Sequence, residues 1–369
     1  MLSLLGVDRL VSRKLQISWR TVLFPLLGLL AFFLYLYIFR VDIPTILATA
    51  RRIDLFIYFL AVAALVSETF VFSLSWRFLL NFLSVKLSVV KCFLYVWFGI
   101  FVDTLIPAES VSGEISRVYL VTREQNGSSG KVVASLVAHR LMGMGINVGG
   151  LLVGVGFLAV GQQPSKEVFN LTLFLAIATT AFLVLLLLFS VKERWTLRIL
   201  NSVIGVVERL WKGRWKFSRI RAEVNRAVKM FHSSIREYGR APKTVVTSLS
   251  LCVLSWFLSL SVTYLVFWSI KYPVPWGIII VTHSIVIAVK SIPLGVPFEA
   301  GLPEITMSTL YILFGVPPDL SATATILSRI LTVWLRFFIG FMVQQWLGIK
   351  SLTTLSANIN PSKQESNKT

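Results

Sequence analysis

Long apolar runs constrain this chain more than any other feature of its sequence. Runs of 18 or more predominantly apolar residues recur along its 369 residues, and this is the length that an α-helix needs to cross a hydrocarbon core of about 30 Å. The runs are continuous and do not alternate, so they indicate helices and not the strands of a barrel. Charged residues make up only 14% of the chain, which excludes an ordinary soluble domain. The sequence therefore predicts an all-α integral membrane protein.

Six of the runs are long enough to be full transmembrane helices. They are residues 21–39, 55–76, 131–160, 168–190, 244–270 and 319–348. The first follows a basic cytoplasmic segment, residues 1–20, and is too long for a signal-peptide core, so it is predicted to be retained. Shorter apolar segments form two pairs, 92–106 with 113–125 and 277–291 with 300–314. None of these can span a bilayer alone, so each pair predicts a re-entrant helical hairpin.

Each predicted hairpin is interrupted by the same pattern, Pro-x-Glu-x4-Glu. The pattern comprises Pro107, Glu109 and Glu114 in the first pair, and Pro297, Glu299 and Glu304 in the second. Proline removes a backbone donor and disturbs the preceding turn, so Pro107 and Pro297 are expected hinges, together with Gly113 and Gly301 at the start of each second limb. Half-helix N-termini at these glycines are expected to offer unpaired N–H groups to an anion.

The distribution of lysine and arginine predicts the orientation of the chain. Residues 192–243 carry fourteen Lys and Arg residues against four Glu, so we expect a cytoplasmic segment that lies on an anionic membrane surface. The membrane half 21–191 must then cross an even number of times, which holds if its hairpin enters and leaves by one side. The second half, 244–350, returns the polar tail 351–369 to the cytoplasm. Both termini of this multi-pass protein of the cell membrane are expected to be cytoplasmic.

Residues 55–160 and 244–348 are predicted to be one unit in two opposite orientations. Each unit consists of a span, a hairpin and a span. The last glutamate of the Pro-x-Glu-x4-Glu pattern precedes a mid-helix arginine by 26 residues in the first unit and by 25 in the second. Inverted repeats with broken helices that meet near the membrane midplane are a transporter architecture, with the substrate held at the breaks.

The two mid-helix arginines, Arg140 and Arg329, have two interpretations. Each lies about 15 Å along its predicted helix, near the bilayer interior, where an arginine usually faces a partner or a wet cavity. The first interpretation is an internal ion pair, Arg140 with Glu114 and Arg329 with Glu304. In the second, both guanidinium groups bind a phosphate. His139 and Lys290 are weaker candidates for the same cavity.

Metal and nucleic-acid sites are not supported. The two cysteines, Cys92 and Cys252, have no ligand partner at metal spacing, so neither a metal nor another cofactor is expected. The net charge of +19 raises nucleic acid as a partner. We reject that partner because much of the excess charge lies beside the spans and follows the positive-inside rule, which makes the bilayer the partner.

The chain resembles the flippase-like transmembrane domain of lysylphosphatidylglycerol synthases, which also occurs as a stand-alone membrane protein. The matching motifs are Leu105-Ile-Pro, Ser112-Gly-Glu114-x-x-Arg117 and Ala138-His-Arg140-Leu in the first half, and Pro297 to Glu304, Leu313-Phe-Gly-Val-Pro317 and Leu327-Ser-Arg329-Ile-Leu in the second. The resemblance covers residues 20–350. One departure is that Phe298 and Glu299 replace two glycines that the family often carries, which leaves only Gly301.

The resemblance implies movement of an anionic polar lipid between leaflets, such as a phospholipid or a polyprenyl-phosphate-linked sugar. It carries Glu114, Arg117, Arg140, Glu304 and Arg329 over as headgroup contacts, and Glu109 and Glu299 lie beside them in sequence. No synthase domain is present, so the chain is expected to be a transporter and not an enzyme. Two alternatives stay open, namely an integral-membrane transferase with a lipid-linked donor and an accessory subunit of a lipid or glycan enzyme. Whether the chain forms a homodimer is also open.

Overall fold

The computed structural model describes residues 51–106, 111–125, 129–161, 217–290 and 301–359, with isolated further positions. These ranges are almost entirely helical and contain no strand. The predicted span 21–39 lies outside the described residues, and 168–190 is described only at isolated positions. The all-α prediction is therefore confirmed for the part of the chain that the structure describes.

Among the described residues, four segments are long and apolar enough to cross a membrane. They are α1 (Leu55–Phe82), α4 (Ser129–Gly161, with its apolar window ending at Leu158), α6 (Pro242–Ser269), and the joined helices from Pro318 to Gly348. The last of these consists of α9 (Pro318–Arg329), a π-helix (Ile330–Leu335) and α10 (Arg336–Ile359). Four of the six predicted spans are thus found close to their expected bounds, and α10 continues into the segment expected to be a polar tail.

The predicted hairpin limbs are four short helices. They are α2 (Val89–Leu105) with α3 (Val111–Glu124), and α7 (Trp276–Lys290) with α8 (Leu302–Leu313). Within each pair the two helices pack against each other. The breaks between them, residues 107–110 and 291–300, lie outside the described residues, and so do Pro107, Glu109, Pro297 and Glu299. Their proposed roles stay predictions, and so does re-entry of the hairpins.

Helix starts follow local capping chemistry. Asp54 precedes α1, and its Oδ1 accepts hydrogen bonds from the N–H groups of Phe56 at 3.0 Å and Ile57 at 3.2 Å. Ser88 caps α2 in the same way, and α6 and α9 begin with proline in the first turn. These residues satisfy or remove the N–H groups that a helix leaves unpaired at its start.

Helices α1 and α6 form the centre of the molecule and run antiparallel. The Ser75 and Ser248 hydroxyls lie 2.7 Å apart, and the Ser255 hydroxyl lies 3.4 Å from the Glu68 carbonyl oxygen. From Glu68 to Ser75 the chain of α1 advances by seven residues, while their contact partners on α6 move back by seven, from Ser255 to Ser248. The first spans of the two predicted units thus pack together in opposite directions.

Two further contacts connect the units in a reciprocal way. Helix α4 of the first unit packs on α7 of the second, and α10 of the second unit packs on α2 of the first. Glycines permit both approaches, since a Cβ at Gly154 would lie 2.8 Å from a methyl of Ile280, and one at Gly340 would lie 2.7 Å from Cβ of Phe101. The last span of each predicted unit therefore packs on the first short helix of the other unit.

The basic segment 192–243 contains an amphipathic helix, α5 (Phe217–Gly239). Its buried face includes Val228, His232 and Tyr238, and the Tyr238 hydroxyl donates to the Leu79 carbonyl at 2.8 Å. Its exposed face carries Arg226, Lys229 and Arg236. The buried face packs on α4, which leaves the basic face outward. Packing on the protein therefore accounts for the amphipathic pattern of α5, and contact of its basic face with a membrane surface stays a prediction.

Candidate functional site

A cavity of about 430 Å³ lies among the helices of both units. Its volume is in the range of sites for small molecules. Seven charged residues line it, of which Glu68, Asp103 and Glu114 are acidic and Arg117, Arg140, Lys290 and Arg336 are basic. Charged groups among apolar helices are expensive and usually mark a pathway or a site. The described lining therefore forms a polar site with one positive charge in excess.

Arg140 and Glu114 face each other across this cavity. Arg140 lies within α4 and Glu114 in the first turn of α3. Arg140 Nη1 lies 3.4 Å from both carboxylate oxygens of Glu114, and the two side chains are 30% and 22% exposed. The predicted ion pair is present, but its distances are long for a hydrogen bond and both side chains are partly exposed.

Arg117 lies one turn after Glu114 on α3 and is buried. Its Nε donates to the Gly113 carbonyl at 3.3 Å, and its guanidinium lies 5.4 Å from the centroid of the Trp76 ring. This distance is within the range of a cation–π contact, which adds to the stabilisation of the buried guanidinium. Arg117 thus lines the same cavity as Arg140, and its implied contact with a headgroup stays a prediction.

The pair formed by Glu68 and Arg336 was not predicted. Arg336 Nη2 donates to Glu68 Oε2 at 2.6 Å, and both residues line the cavity. The sequence places Arg336 seven residues after Arg329, which would put both on one face of an α-helix. The π-helix Ile330–Leu335 separates them, and a π-turn holds more residues than an α-turn. The register therefore shifts, and Arg336 contacts α1.

Arg329 and Glu304 form a separate, closed ion pair. Arg329 Nε lies 2.6 Å from Glu304 Oε1, and the two side chains are only 9% and 6% exposed. Neither residue lines the described cavity. The predicted ion pair is present, whereas the expected convergence of Arg140 and Arg329 on one hollow is not observed in this structure.

The prediction of unpaired N–H groups at the two glycines is wrong. The Gly113 N–H donates to Asp103 Oδ1 at 2.6 Å, and the Gly301 N–H donates to Glu304 Oε2 at 2.7 Å. An N–H group without a partner in an apolar surrounding would raise the free energy of the folded state. A carboxylate that accepts its hydrogen bond removes this cost at each helix start. These N–H groups are therefore not available to an external anion.

The two glycines also differ as hinges. Gly113 lies within α3, and a Cβ there would overlap the Asp103 carboxylate and the Gly99 carbonyl. Its function is therefore close packing of α2 on α3. Gly301 precedes α8 with a φ of 100°, a conformation that glycine adopts easily. Only Gly301 has the backbone geometry expected of a break between half-helices.

The weaker candidates His139 and Lys290 both line the cavity. His139 is buried, its ring packs edge-on against Phe72 at 4.4 Å, and its Nε2 has no hydrogen-bond partner among the described residues. Sequence reasoning missed Asn147 and Trp256, which also line the cavity and carry buried polar atoms without a partner in the described ranges. Asn147 lies seven residues after Arg140 on α4, and this helical spacing was the available signal.

Metal ligation has no structural counterpart in the residues described. No group of three His, Cys, Asp or Glu side chains there could hold a metal ion. The three carboxylates of the cavity are engaged by the protein itself, Glu68 by Arg336, Glu114 by Arg140 and Asp103 by the Ser112 hydroxyl at 2.7 Å. Glu68 and Glu114 thus engage two arginines of the same described lining.

The long apolar helices, the two pairs of short helices and the charged cavity between them define a multi-pass helical membrane protein with a polar site among its spans. The family model of the lysylphosphatidylglycerol synthase TM region matches residues 22–340. The chain belongs to this family, which confirms the resemblance drawn from its motifs.

Similar proteins include membrane proteins of archaea. A UPF0104 membrane protein of Pyrococcus horikoshii is 22% identical over 297 residues, which cover 78% of this chain and 86% of that protein. A UPF0104 membrane protein of Methanothermobacter thermautotrophicus is 23% identical over 281 residues, which cover 75% of this chain and 81% of the relative. No solved structure matches the chain significantly.

Proposed function

We propose that this protein moves an anionic polar lipid between the two leaflets of the cell membrane. The observation that carries the proposal is the cavity between the apolar helices, whose described lining has four cations against three carboxylates. Membership of the lysylphosphatidylglycerol synthase TM family supports a role in lipid chemistry. The candidate substrates are a phospholipid and a polyprenyl-phosphate-linked sugar.

A site of this kind meets the main obstacle to lipid movement. A phosphate cannot pass through hydrocarbon unaided, because burying an isolated charge costs many kcal/mol. The partly exposed pair of Arg140 and Glu114 supplies a guanidinium fork whose contacts with Glu114 are long, at 3.4 Å. A phosphate can replace these contacts with shorter, charge-assisted hydrogen bonds. Arg117 and Arg336 offer further positive charge in the same cavity.

The packing of the helices supports an inverted repeat. The antiparallel contact of α1 with α6 and the reciprocal contacts of α4 with α7 and of α10 with α2 are those expected from two units related by a two-fold axis in the membrane plane. Glu68 is the fourteenth residue of α1 and Ser255 the fourteenth of α6. Because equivalent positions touch, the axis passes close to this contact.

The unequal ion pairs support alternating access. Equivalent pairs in the two units are open in one case, with side chains 30% and 22% exposed, and closed in the other, at 9% and 6%. Two inverted units in different conformations give a cavity that opens to one leaflet. Exchange of the two conformations would close the pair of Arg140 and Glu114, and would open the pair of Arg329 and Glu304 to the opposite leaflet.

The proposal is tested with purified protein in vesicles that contain phosphatidylglycerol with a dithionite-sensitive fluorophore on an acyl chain. Dithionite added outside sealed vesicles bleaches only the fluorophores in the outer leaflet. Lipid movement therefore appears as a larger bleached fraction than that of protein-free vesicles. We expect Arg140→Gln to slow this movement by about tenfold or more, because it removes one charge-assisted contact to the headgroup phosphate. Arg140→Lys retains the charge beside Glu114 but loses the fork, so an intermediate rate is expected.

Lys131→Gln is the matched control. It removes a cation from the same helix, but Lys131 donates to the Leu83 carbonyl and does not line the cavity. Equal rates for wild type and protein-free vesicles would contradict the proposal, provided that the protein is folded. Formation of a new lipid product without movement would favour the transferase instead.

A further inference from the structure

The ion pair of Glu68 and Arg336 joins the two predicted units. Glu68 belongs to α1 of the first unit, and Arg336 is the first residue of α10 in the second. Arg336 Nη2 lies 2.6 Å from Glu68 Oε2, the arginine side chain is 22% exposed and the glutamate side chain 13%. By contrast, the ion pairs that contain Arg140 and Arg329 each lie within one unit. The contact of Glu68 with Arg336 therefore depends on how the two units are placed relative to each other.

Glu68 lies where the two central helices cross. It is the fourteenth of the 28 residues of α1, near the middle of this span. Its Oε2 accepts from the Thr69 hydroxyl at 3.0 Å, and Ser255 Oγ of α6 lies 3.4 Å from its Oε1. A carboxylate at this depth is costly unless a cation lies beside it. Among the described residues, Arg336 is the cation that contacts Glu68.

The equivalent contact of the repeat is uncharged and is not formed. Position fourteen of α6 is Ser255, the counterpart of Glu68. Asn147 is the counterpart of Arg336, because each follows the mid-helix arginine of its unit by seven residues. In the described part of the chain no hydrogen bond joins Ser255 to Asn147, and Asn147 Nδ2 instead lies 3.4 Å from the Ser284 carbonyl oxygen. Under the proposed exchange of conformations, Glu68 and Arg336 would take the separated arrangement that their counterparts have now.

The guanidinium of Arg336 is only partly satisfied by this pair. The residue follows directly on the π-helix Ile330–Leu335, and π-turns occur frequently at functional sites. Its Nη2 donates to Glu68, whereas its Nε is buried and has no hydrogen-bond partner among the described residues. A buried donor without a partner costs free energy, so the pair stabilises this conformation less than a fully paired guanidinium would. An anion that accepts more hydrogen bonds from Arg336 can therefore replace Glu68.

We infer that Glu68 and Arg336 form a latch between the units, which holds the described conformation until an anion in the cavity competes with Glu68 for Arg336. Both residues line the cavity, where a headgroup phosphate would contact the guanidinium. The Thr69 and Ser255 hydroxyls beside the carboxylate, together with water in the cavity, would then solvate Glu68. The ligand-free protein rests in one conformation, and bound lipid permits the exchange. The inference rests on the proposed function and adds the contact that controls it.

The test uses a cysteine that only the exchanged conformation exposes. Ser328 directly precedes Arg329 and is 1% exposed, so Ser328→Cys should react slowly with a charged thiol reagent while the pair of Arg329 and Glu304 stays closed. Cys252 lines the cavity and is removed by Cys252→Ser, whereas Cys92 is 0% exposed and stays as an internal measure of unfolding. In micelles of an uncharged detergent, phosphatidylglycerol should raise the labelling rate at Ser328→Cys by on the order of tenfold, without labelling of Cys92.

Variants of the latch give the same readout without lipid. Glu68→Gln removes the charge that holds Arg336, so Ser328→Cys should then react about as fast without phosphatidylglycerol as the unaltered latch allows with it. The reversed pair, Glu68→Arg with Arg336→Glu, should restore slow labelling, which a mere loss of packing would not do. Glu124→Gln is the matched control, because its carboxylate pairs with Lys91 inside the first unit and does not line the cavity.

Each outcome decides for or against the latch. Rapid labelling of Ser328→Cys in the lipid-free protein would overturn it, and so would slow labelling after Glu68→Gln. Equal labelling of Cys92 would indicate unfolding and would also count against it. If Glu68→Gln does not fold, Arg336→Gln provides the comparison from the other partner. Failure of the latch leaves the proposed function in place when the vesicle assay shows lipid movement, and absence of movement leaves the labelling in detergent to decide the latch.

Discussion

Glu304 and Arg329 show how one residue pattern can serve different purposes in the two units. The pair nearly repeats the spacing of Glu114 and Arg140, with 25 residues in place of 26, yet it is closed and almost fully buried. Glu304 also accepts from the Gly301 N–H, so it joins a helix start to a long helix. In the conformation described, this pair holds α8 against α9.

Removal of one partner of this buried pair should destabilise the protein strongly. We expect Arg329→Leu to lower the free energy of unfolding by about 3–5 kcal/mol, because it leaves a buried carboxylate without its cation. The measurement is denaturant unfolding in detergent, followed by circular dichroism. Addition of Glu304→Gln to Arg329→Leu should recover part of the loss, since no unpaired charge then remains.

An exposed pair provides the reference for this prediction. Lys91 lies 3.0 Å from Glu124, but the lysine side chain is 49% exposed. Lys91→Ala should therefore change stability by no more than about 1 kcal/mol. An equally small effect of Arg329→Leu would show that the pair of Arg329 and Glu304 is solvated, and would contradict its closed state.

Helix pairs in this protein depend on glycine at particular crossings. A Cβ at Gly154 would lie 2.8 Å from a methyl of Ile280 and 2.9 Å from a methyl of Val281, and these β-branched side chains have few alternative rotamers. A Cβ at Gly156, two residues later on α4, meets nothing within 4 Å. The two positions thus form a matched pair on one helix.

Alanine at these two positions should act in opposite directions. Gly154→Ala is expected to lower stability by about 1–3 kcal/mol, because α4 and α7 must move apart. Gly156→Ala is expected to be neutral or to stabilise by up to about 1 kcal/mol through helix propensity. Melting temperatures in detergent provide the comparison. Equal effects of the two substitutions would mean that α4 does not pack on α7 as described.

The helices themselves could be predicted from sequence to a large extent, and their contacts could not. Apolar runs predicted four long helices and four short ones within a few residues, because length and hydropathy are local properties. The π-helix Ile330–Leu335 leaves no such trace, so the face presented by Arg336 could not be predicted from its spacing after Arg329. Likewise, the hydrogen bond from the Gly113 N–H to Asp103 depends on how α2 packs on α3, which the sequence does not specify.

At the scale of the molecule, the described helices can be grouped into the two predicted units, and each of these contacts the other. Spacing along the sequence predicted the units, and the antiparallel contact of α1 with α6 supports their inversion. The difference between the two ion pairs could not be predicted, because the same residue pattern occurs in both units and does not indicate which pair is the more exposed. The cavity therefore contains Arg140 and not Arg329. This asymmetry is what the proposed mechanism requires of a transporter in one of its two states.

The most direct test is access to the cavity from each side of the membrane. Gly143 lines the cavity, and a Cβ there meets nothing within 4 Å, so Gly143→Cys should be tolerated in a protein with Cys92→Ala and Cys252→Ser. A membrane-impermeant thiol reagent is added to the outside or the inside of sealed vesicles that hold protein of one orientation. Our account predicts labelling from both sides during turnover, and loss of lipid movement after labelling from either. Labelling from one side only, whatever lipid is present, would show a fixed one-sided pocket and contradict it.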